Sequence, residues 1–301
     1  MLISGIGLVL WIFLIRSRMD RKLNMRKALL TKTELDSHAK ATASEHVVGK
    51  RKNYLNLPLL WINQNYDIIL SVYKELNAEI RKKRPVPPAA EWLLDNFYLI
   101  EEQVNGIRRD FDLRDYFKLP VLKSGFLKGY ARVFAIAVEI ILHTDGQVNE
   151  KVVSDYLEAY QSHNNLSERE IWNLPLVIRM ALIDDIKHQC VKIRNAMQQW
   201  RKADDALNAS LNNGMPDTER ILKAYEDSME SGEKTNDAFL DHLLYRLRRS
   251  GQNHSGILIA LDEFHARSGI TTPQIIQREH MARSVNTVSL GNCITSLRLI
   301  A

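Results

Sequence analysis

The residues of this 301-residue chain that can do chemistry are scattered rather than gathered in a motif. Two acidic doublets, Asp184-Asp185 and Asp204-Asp205, have the composition to hold a divalent cation against a diphosphate. Both lie in helical pattern beside Lys187, Arg201 and Lys202, and read as solvated faces. Glu101-Glu102 and the Asp95 side of the same helix offer further carboxylates, for which surface or ion-pair roles are expected. His143-Thr144-Asp145-Gly146 has the spacing of an acid/base pair. No third group accompanies it, and Gly146 suits the left-handed end of a helix, so a capping turn is expected. The aromatics Trp61, Trp92, Tyr98, Tyr130 and Trp172 could stack sugars, but at helical spacing they read as core. There is no Gly-rich phosphate loop, no Gly-x-Ser-x-Gly and no His-Glu-x-x-His. The two cysteines, Cys190 and Cys293, form no Cys-x-x-Cys, which argues against a disulfide framework or a zinc site. No cofactor and no metal is expected from these patterns.

The elements that must position these groups are helices. At 90–110, Leu93, Phe97, Ile100, Val104 and Ile107 recur at spacings of four and three, one stripe of an amphipathic helix behind Pro87 and Pro88. Helical pattern also covers 55–79, 127–143, 149–162 and 167 to about 207, the last opened by the capping box Ser167-x-x-Glu170. The segment 127–143 is apolar on several sides, which makes Glu139 an expensive exception that needs a partner. Residues 208–218 read as a loop and a point of subdivision. Shorter helices are expected at 219–229, 236–249 and 256–268, with Thr272-Pro273 opening the last. No alternating strand pattern of useful length occurs. The fold class is all-α: a multi-helix, bundle-like domain over 55–301.

Two segments precede that domain. Residues 1–15, MLISGIGLVLWIFLI, carry no charge; as a helix they rise about 22 Å against a hydrocarbon core of roughly 30 Å. Arg16 and Arg18 can snorkel, and positive charges follow the run rather than precede it, unlike a cleaved signal peptide. The reading is a single-pass membrane anchor with the rest of the chain cytoplasmic. Residues 16–54 read as a basic polar tether. Of the chain's net +5, the excess is N-terminal: residues 1–84 hold 16 Lys/Arg and 7 Asp/Glu, the remainder 25 and 29. Beside an apolar segment, that charge points to a membrane surface as partner and not to nucleic acid.

Several words of the sequence, taken in order, resemble the N-terminal region of the large bacterial cyclic β-1,2-glucan synthases. They include Glu91-Trp92-Leu93-Leu94-Asp95-Asn96-Phe97-Tyr98, Gly129-Tyr130-Ala131-Arg132-Val133, His143-Thr144-Asp145-Gly146, Glu170-Ile171-Trp172, Ile178-Arg179-Met180 and Ser289-Leu290-Gly291-Asn292-Cys293. Each is weak alone; together they span about 55–301. The resemblance implies a multi-pass inner-membrane parent that polymerises glucose from UDP-glucose and closes the product into a ring. The family's glycosyltransferase domain, with its Asp-x-Asp and Gln-x-x-Arg-Trp motifs, comes after the region matched here, and Gln198-Gln199-Trp200-Arg201 does not match the second motif. No catalytic residue carries over. Glu91, Trp92, Asp95, Asn96, Arg132, His143, Asp145, Trp172 and Arg179 are family-motif residues without an assigned role. The expectation is a non-catalytic scaffold or regulatory module next to a downstream glycosyltransferase domain, its apolar C-terminal residues reading as the edge of a truncated chain. A free-standing, membrane-anchored helical adaptor is the alternative, and an enzyme using His143 and Asp145 a third.

Overall fold

The computed structural model describes residues 29–50, 58–125, 127–212, 215–229, 235–249, 255–267 and 269–300. The described residues are helical apart from two minimal strand pairs. In order they form α1 (Lys32–Glu45), β1 (Val48–Gly49), α2 (Pro58–Arg81), α3 (Ala89–Asp110), α4 (Leu113–Lys118), β2 (Val121–Leu122), α5 (Arg132–Thr144), α6 (Glu150–Gln161), α7 (Glu168–Ser210), β3 (Leu211–Asn212), β4 (Met215–Pro216), α8 (Thr218–Ser228), α9 (Asp237–Arg249), α10 (Ser255–Ala266) and α11 (Thr272–Ile300). β1 pairs antiparallel with β2, and β3 with β4. Among the described residues no helix is long and apolar enough to cross a membrane. The anchor expected at 1–15 lies outside the described residues.

The tether reading of 16–54 requires correction, because its described part contains α1. Thr31 donates its backbone N–H to the Glu34 carboxylate at 2.8 Å, the returning half of a capping box. The buried face of α1 is Leu35, Ala39, Thr42 and Ala43. That stripe is mostly small, so it carries little hydropathy, but small residues let α1 lie close on α6. A Lys32–Asp155 ion pair at 2.9 Å ties the same two helices.

The chain divides into two compact units with boundaries inside α2, α3, α7 and α11. The first holds 1–67, 96–188 and 292–301; the second holds 68–95 and 189–291, with 208–218 inside it. The stripe of α3 is buried along its length: Leu93, Ile100, Val104 and Ile107 are 0% exposed and Phe97 8%. In the first unit α5 is the most enclosed helix, buried from Arg132 through Ile141. It ends as its sequence suggests. Asp145 and Gly146 both take positive φ (52° and 76°), and the Gly146 N–H donates to the Ile141 carbonyl at 3.0 Å. A Cβ on Gly146 would stand 2.4 Å from the Cys293 Sγ, so glycine is needed there for space as well as conformation.

The second unit packs around Tyr225, Phe239, Leu240, Leu243, Leu261 and Ile275, each 0% exposed. At its edge α11 is capped by Thr271, one residue before the expected Thr272: Thr271 donates its N–H to Gln274 Oε1 at 3.0 Å. Thr272 instead donates its hydroxyl to Asp262 at 2.6 Å and lies 2.9 Å from His265 Nδ1.

Candidate functional site

A cluster of ionisable groups lies in the first unit, between α1, α5 and α6. Glu139 and His143 stand one turn apart on α5 and so share a face. His38 of α1 meets them: its Nε2 is 3.0 Å from Glu139 Oε2, and His143 Nε2 is 3.4 Å from the same oxygen. The two imidazole centroids are 4.3 Å apart. Glu139, flagged by its place on an apolar helix, thus has its partners. Thr42 and His46 follow His38 at steps of four along α1. The Thr42 hydroxyl is 3.3 Å from His38 Nε2, and His46 Nδ1 is 2.9 Å from the Tyr160 hydroxyl. Burial pushes His46 down to about 4, against the opposing pull of Glu139 and with help from the Arg132 charge, so this imidazole is neutral at physiological pH. The Tyr156 hydroxyl is fully enclosed nearby; burial pushes the phenol up, and the charge of Glu139 adds to it.

Arg132 continues this polar seam. Its guanidinium grips Glu170 through two bonds (Nε to Oε1 2.8 Å, Nη2 to Oε2 2.6 Å) and also donates to Asn164 Oδ1 at 2.6 Å and to the Asn165 carbonyl at 3.0 Å. Asn164 in turn donates to the carbonyls of Ala43 and His46 at the end of α1. The Arg132–Glu170 pair fixes α5 to α7, and the Asn164 and Asn165 bonds fix the connection after α6 to α5 and to the end of α1. Three of the groups, His38, Glu139 and His143, bring their donor atoms within 4.8 Å of one another and form a set able to hold a metal ion.

The other residues picked out from sequence fall elsewhere. Asp145 occupies the left-handed position after α5, and its carbonyl accepts from Asn292 Nδ2 at 3.1 Å. His143 looks instead to Glu139 and His38. Arg179 donates to Asp110 at 2.9 Å. Asn96 accepts from Arg298 at 3.0 Å. Glu91 and Asp95 are exposed in the first turns of α3. Of the aromatics read as core, Trp61 and Tyr130 are half-buried against Phe134, while Trp92, Tyr98 and Trp172 depart from that expectation at 41%, 63% and 77% exposed. Trp92 covers Gly291, whose missing Cβ would stand 2.9 Å from the indole, and Trp172 donates to Glu168 at 3.3 Å. Of the acidic doublets, Asp205 is exposed as expected, while Asp184, Asp185 and Asp204 differ from the solvated faces expected. Asp184 is 4% exposed, accepts from Asn65 at 3.0 Å and lies 3.5 Å from Lys187 Nζ. Asp204 accepts from Arg246 at 2.5 Å and lies 3.1 Å from His242 Nε2. Asp185 accepts from the Cys293 thiol at 3.1 Å, beside a small pocket lined by Val138, Ile141 and His188.

Comparison with known proteins matches the sequence to part of a much larger one. No family model matches the chain. Over 238 residues it is 29% identical to the cyclic beta-(1,2)-glucan synthase NdvB of Rhizobium meliloti (strain 1021). The chain is similar to part of a cyclic β-1,2-glucan synthase. The match covers 79% of this chain but 8% of the synthase, so the chain spans a small part of its relative's length.

Sequence reasoning missed His38, because it stands in a stretch read as tether. The signal was present: His38, Thr42 and His46 at steps of four, interleaved with alanines, mark a polar seam on a close-packing helix.

Proposed function

We propose that this chain is a non-catalytic helical module of a cyclic β-1,2-glucan synthase-like protein, acting as scaffold or regulator for a glycosyltransferase domain. The observation that carries the reading is the 29% identity over 238 residues to a synthase of which the match covers 8%. The chemistry of the carboxylates supports it. Transfer from a sugar nucleotide needs carboxylates open to a cation and a diphosphate. Here Asp184 is buried and bonded to Asn65, Asp204 holds Arg246, and Glu101 accepts the Tyr66 hydroxyl at 2.6 Å. These groups hold helices in place. The exposed Trp172 and Tyr98 give a partner domain apolar surface to cover. Membrane attachment through 1–15, with the helical domain on the cytoplasmic side, belongs to the same proposal and rests on the uncharged run and the basic residues after it.

The experiment is a graft. The matching segment of the glucan synthase is deleted, or replaced by this chain, and membranes are assayed for incorporation of glucose from radiolabelled UDP-glucose into cyclic glucan. The deletion is expected to lose synthesis and the graft to restore it, while the purified chain incorporates nothing. A deletion as active as the graft, or glucan made by the purified chain alone, overturns the proposal.

A further inference from the structure

We propose that His38, Glu139 and His143 form a binding site for a divalent transition-metal ion, with zinc the best fit, which clips α1 to α5. The donor set is two imidazole nitrogens and one carboxylate oxygen, which suits zinc better than the all-oxygen shells of magnesium or calcium.

The geometry is close to what such an ion needs. Ligands about 2.0–2.1 Å from a tetrahedral zinc stand about 3.3–3.4 Å apart. The two nitrogen–oxygen separations here are 3.0 and 3.4 Å, and all three donor atoms fall within 4.8 Å. Small rotations about the His38 side chain complete the set. Glu139 and His143 come from one helix at i and i+4, the spacing by which a single helical face offers two ligands. The third ligand arrives from 101 residues away, so the ion joins segments that local structure does not.

Burial fits the same reading. The side chains of Glu139 and His143 are 10% and 7% exposed, so a carboxylate sits in a poorly solvated place and gains from a fixed cation. His38 is 26% exposed and provides the open edge through which an ion and a fourth ligand, water, can enter. The Thr42 hydroxyl stands 3.3 Å from the same His38 Nε2 and gives way to the ion there, and the enclosed Tyr156 hydroxyl lies in the field of Glu139. The His143 carbonyl also accepts the Leu30 N–H at 3.1 Å, so the segment before α1 is tied to the same place. The site uses no cysteine, which is why cysteine spacing is silent about it.

The test is titration of the chelator-stripped full chain with zinc chloride alone, followed by calorimetry, with circular dichroism to check the fold. One zinc per chain is expected, together with slowed amide exchange in 32–45, and magnesium chloride gives no saturable binding. His38→Gln, at the exposed edge, is expected to keep the helical signal and weaken zinc binding at least tenfold; His143→Gln does the same. If His143→Gln fails to fold, His38→Gln decides alone. Cobalt in place of zinc should show the visible band of a tetrahedral site in the wild type and lose it in His38→Gln. No saturable zinc binding by the wild type, or equal affinity in His38→Gln, overturns the proposal and leaves the three groups as a hydrogen-bonded cluster.

Discussion

The two units bury their ionisable groups differently. In the first, charged and polar side chains run through the interior and join helices far apart in sequence: His38 to Glu139, Arg132 to Glu170, Asn65 to Asp184. In the second, the centre is mostly apolar, with one buried polar link inside it and ion pairs toward its surface. His265 lies 3.1 Å from the Tyr225 hydroxyl and 2.9 Å from that of Thr272, while Asp237 takes the Arg278 guanidinium at 2.6 and 2.7 Å. Apolar contacts are non-directional and tolerate exchange; a buried ion pair punishes the loss of either partner. The first unit is therefore more sharply specified by its buried pairs.

Single deletions test that contrast most strongly. Arg132→Ala leaves Glu170, whose side chain is 1% exposed, without its main cation and should cost ~3–5 kcal/mol in urea unfolding. Arg132→Met combined with Glu170→Leu should recover part of the loss, because no buried charge then remains. Leu243→Ala, in the apolar centre of the second unit, should cost ~2–5 kcal/mol through lost burial and a cavity, with no charge-removing partner able to rescue it. Equal recovery in both units, or none in the first, breaks the comparison.

The pH response sharpens it, with opposite signs. His46 is held down at about 4 by burial against an ordinary 6.5. Between those values the unfolded chain takes up a proton that the folded chain refuses, so this contribution is present above about 6.5 and lost as pH falls toward 4. Glu279, in the second unit, is pushed up from 4.5 to about 7 by burial, with Arg283 opposing. The folded chain keeps that proton while the unfolded one releases it, so this contribution is full below 4.5 and lost as pH rises through 7. Melting temperatures from about pH 4 to about pH 8 should therefore flatten on the acid side in His46→Gln and on the neutral side in Glu279→Gln. Identical profiles for the two variants would remove the distinction.

The smallest effect is expected where charge is exposed. Asp110, half open to solvent, pairs with Arg179 at 2.9 Å. Asp110→Ala should cost less than about 1 kcal/mol in the same unfolding assay, and less still in high salt. A loss near that of Arg132→Ala would mean that position in the first unit, not burial, sets the energetics.

Most helices were legible because each carries its own signals. Leu93 to Ile107 repeats with the period of a helix, Asn149 caps α6 by accepting the Val152 N–H at 3.0 Å, and Phe239, Leu243 and Leu247 mark the inner face of α9. The end of α5 was legible too, since Gly146 suits the left-handed position after a helix, which it takes. Relation to the glucan synthases was carried by the order of short words, and stands at 29% identity. Helix α1 was not legible, because its stripe is small and polar and gains burial only when α6 covers it. Nor was the exposure of Trp92, Tyr98 and Trp172, since periodicity gives the face of a helix and not what covers that face.

The sequence by itself determined most of the helices and most of their caps, because those depend on neighbours a few residues apart. Only the tertiary structure decided that His38 meets Glu139 and His143 across 101 residues, that Asp184 is buried, and that Arg132 belongs to Glu170. Those pairings depend on which helix faces which, and the packing of whole faces sets that, not any local preference.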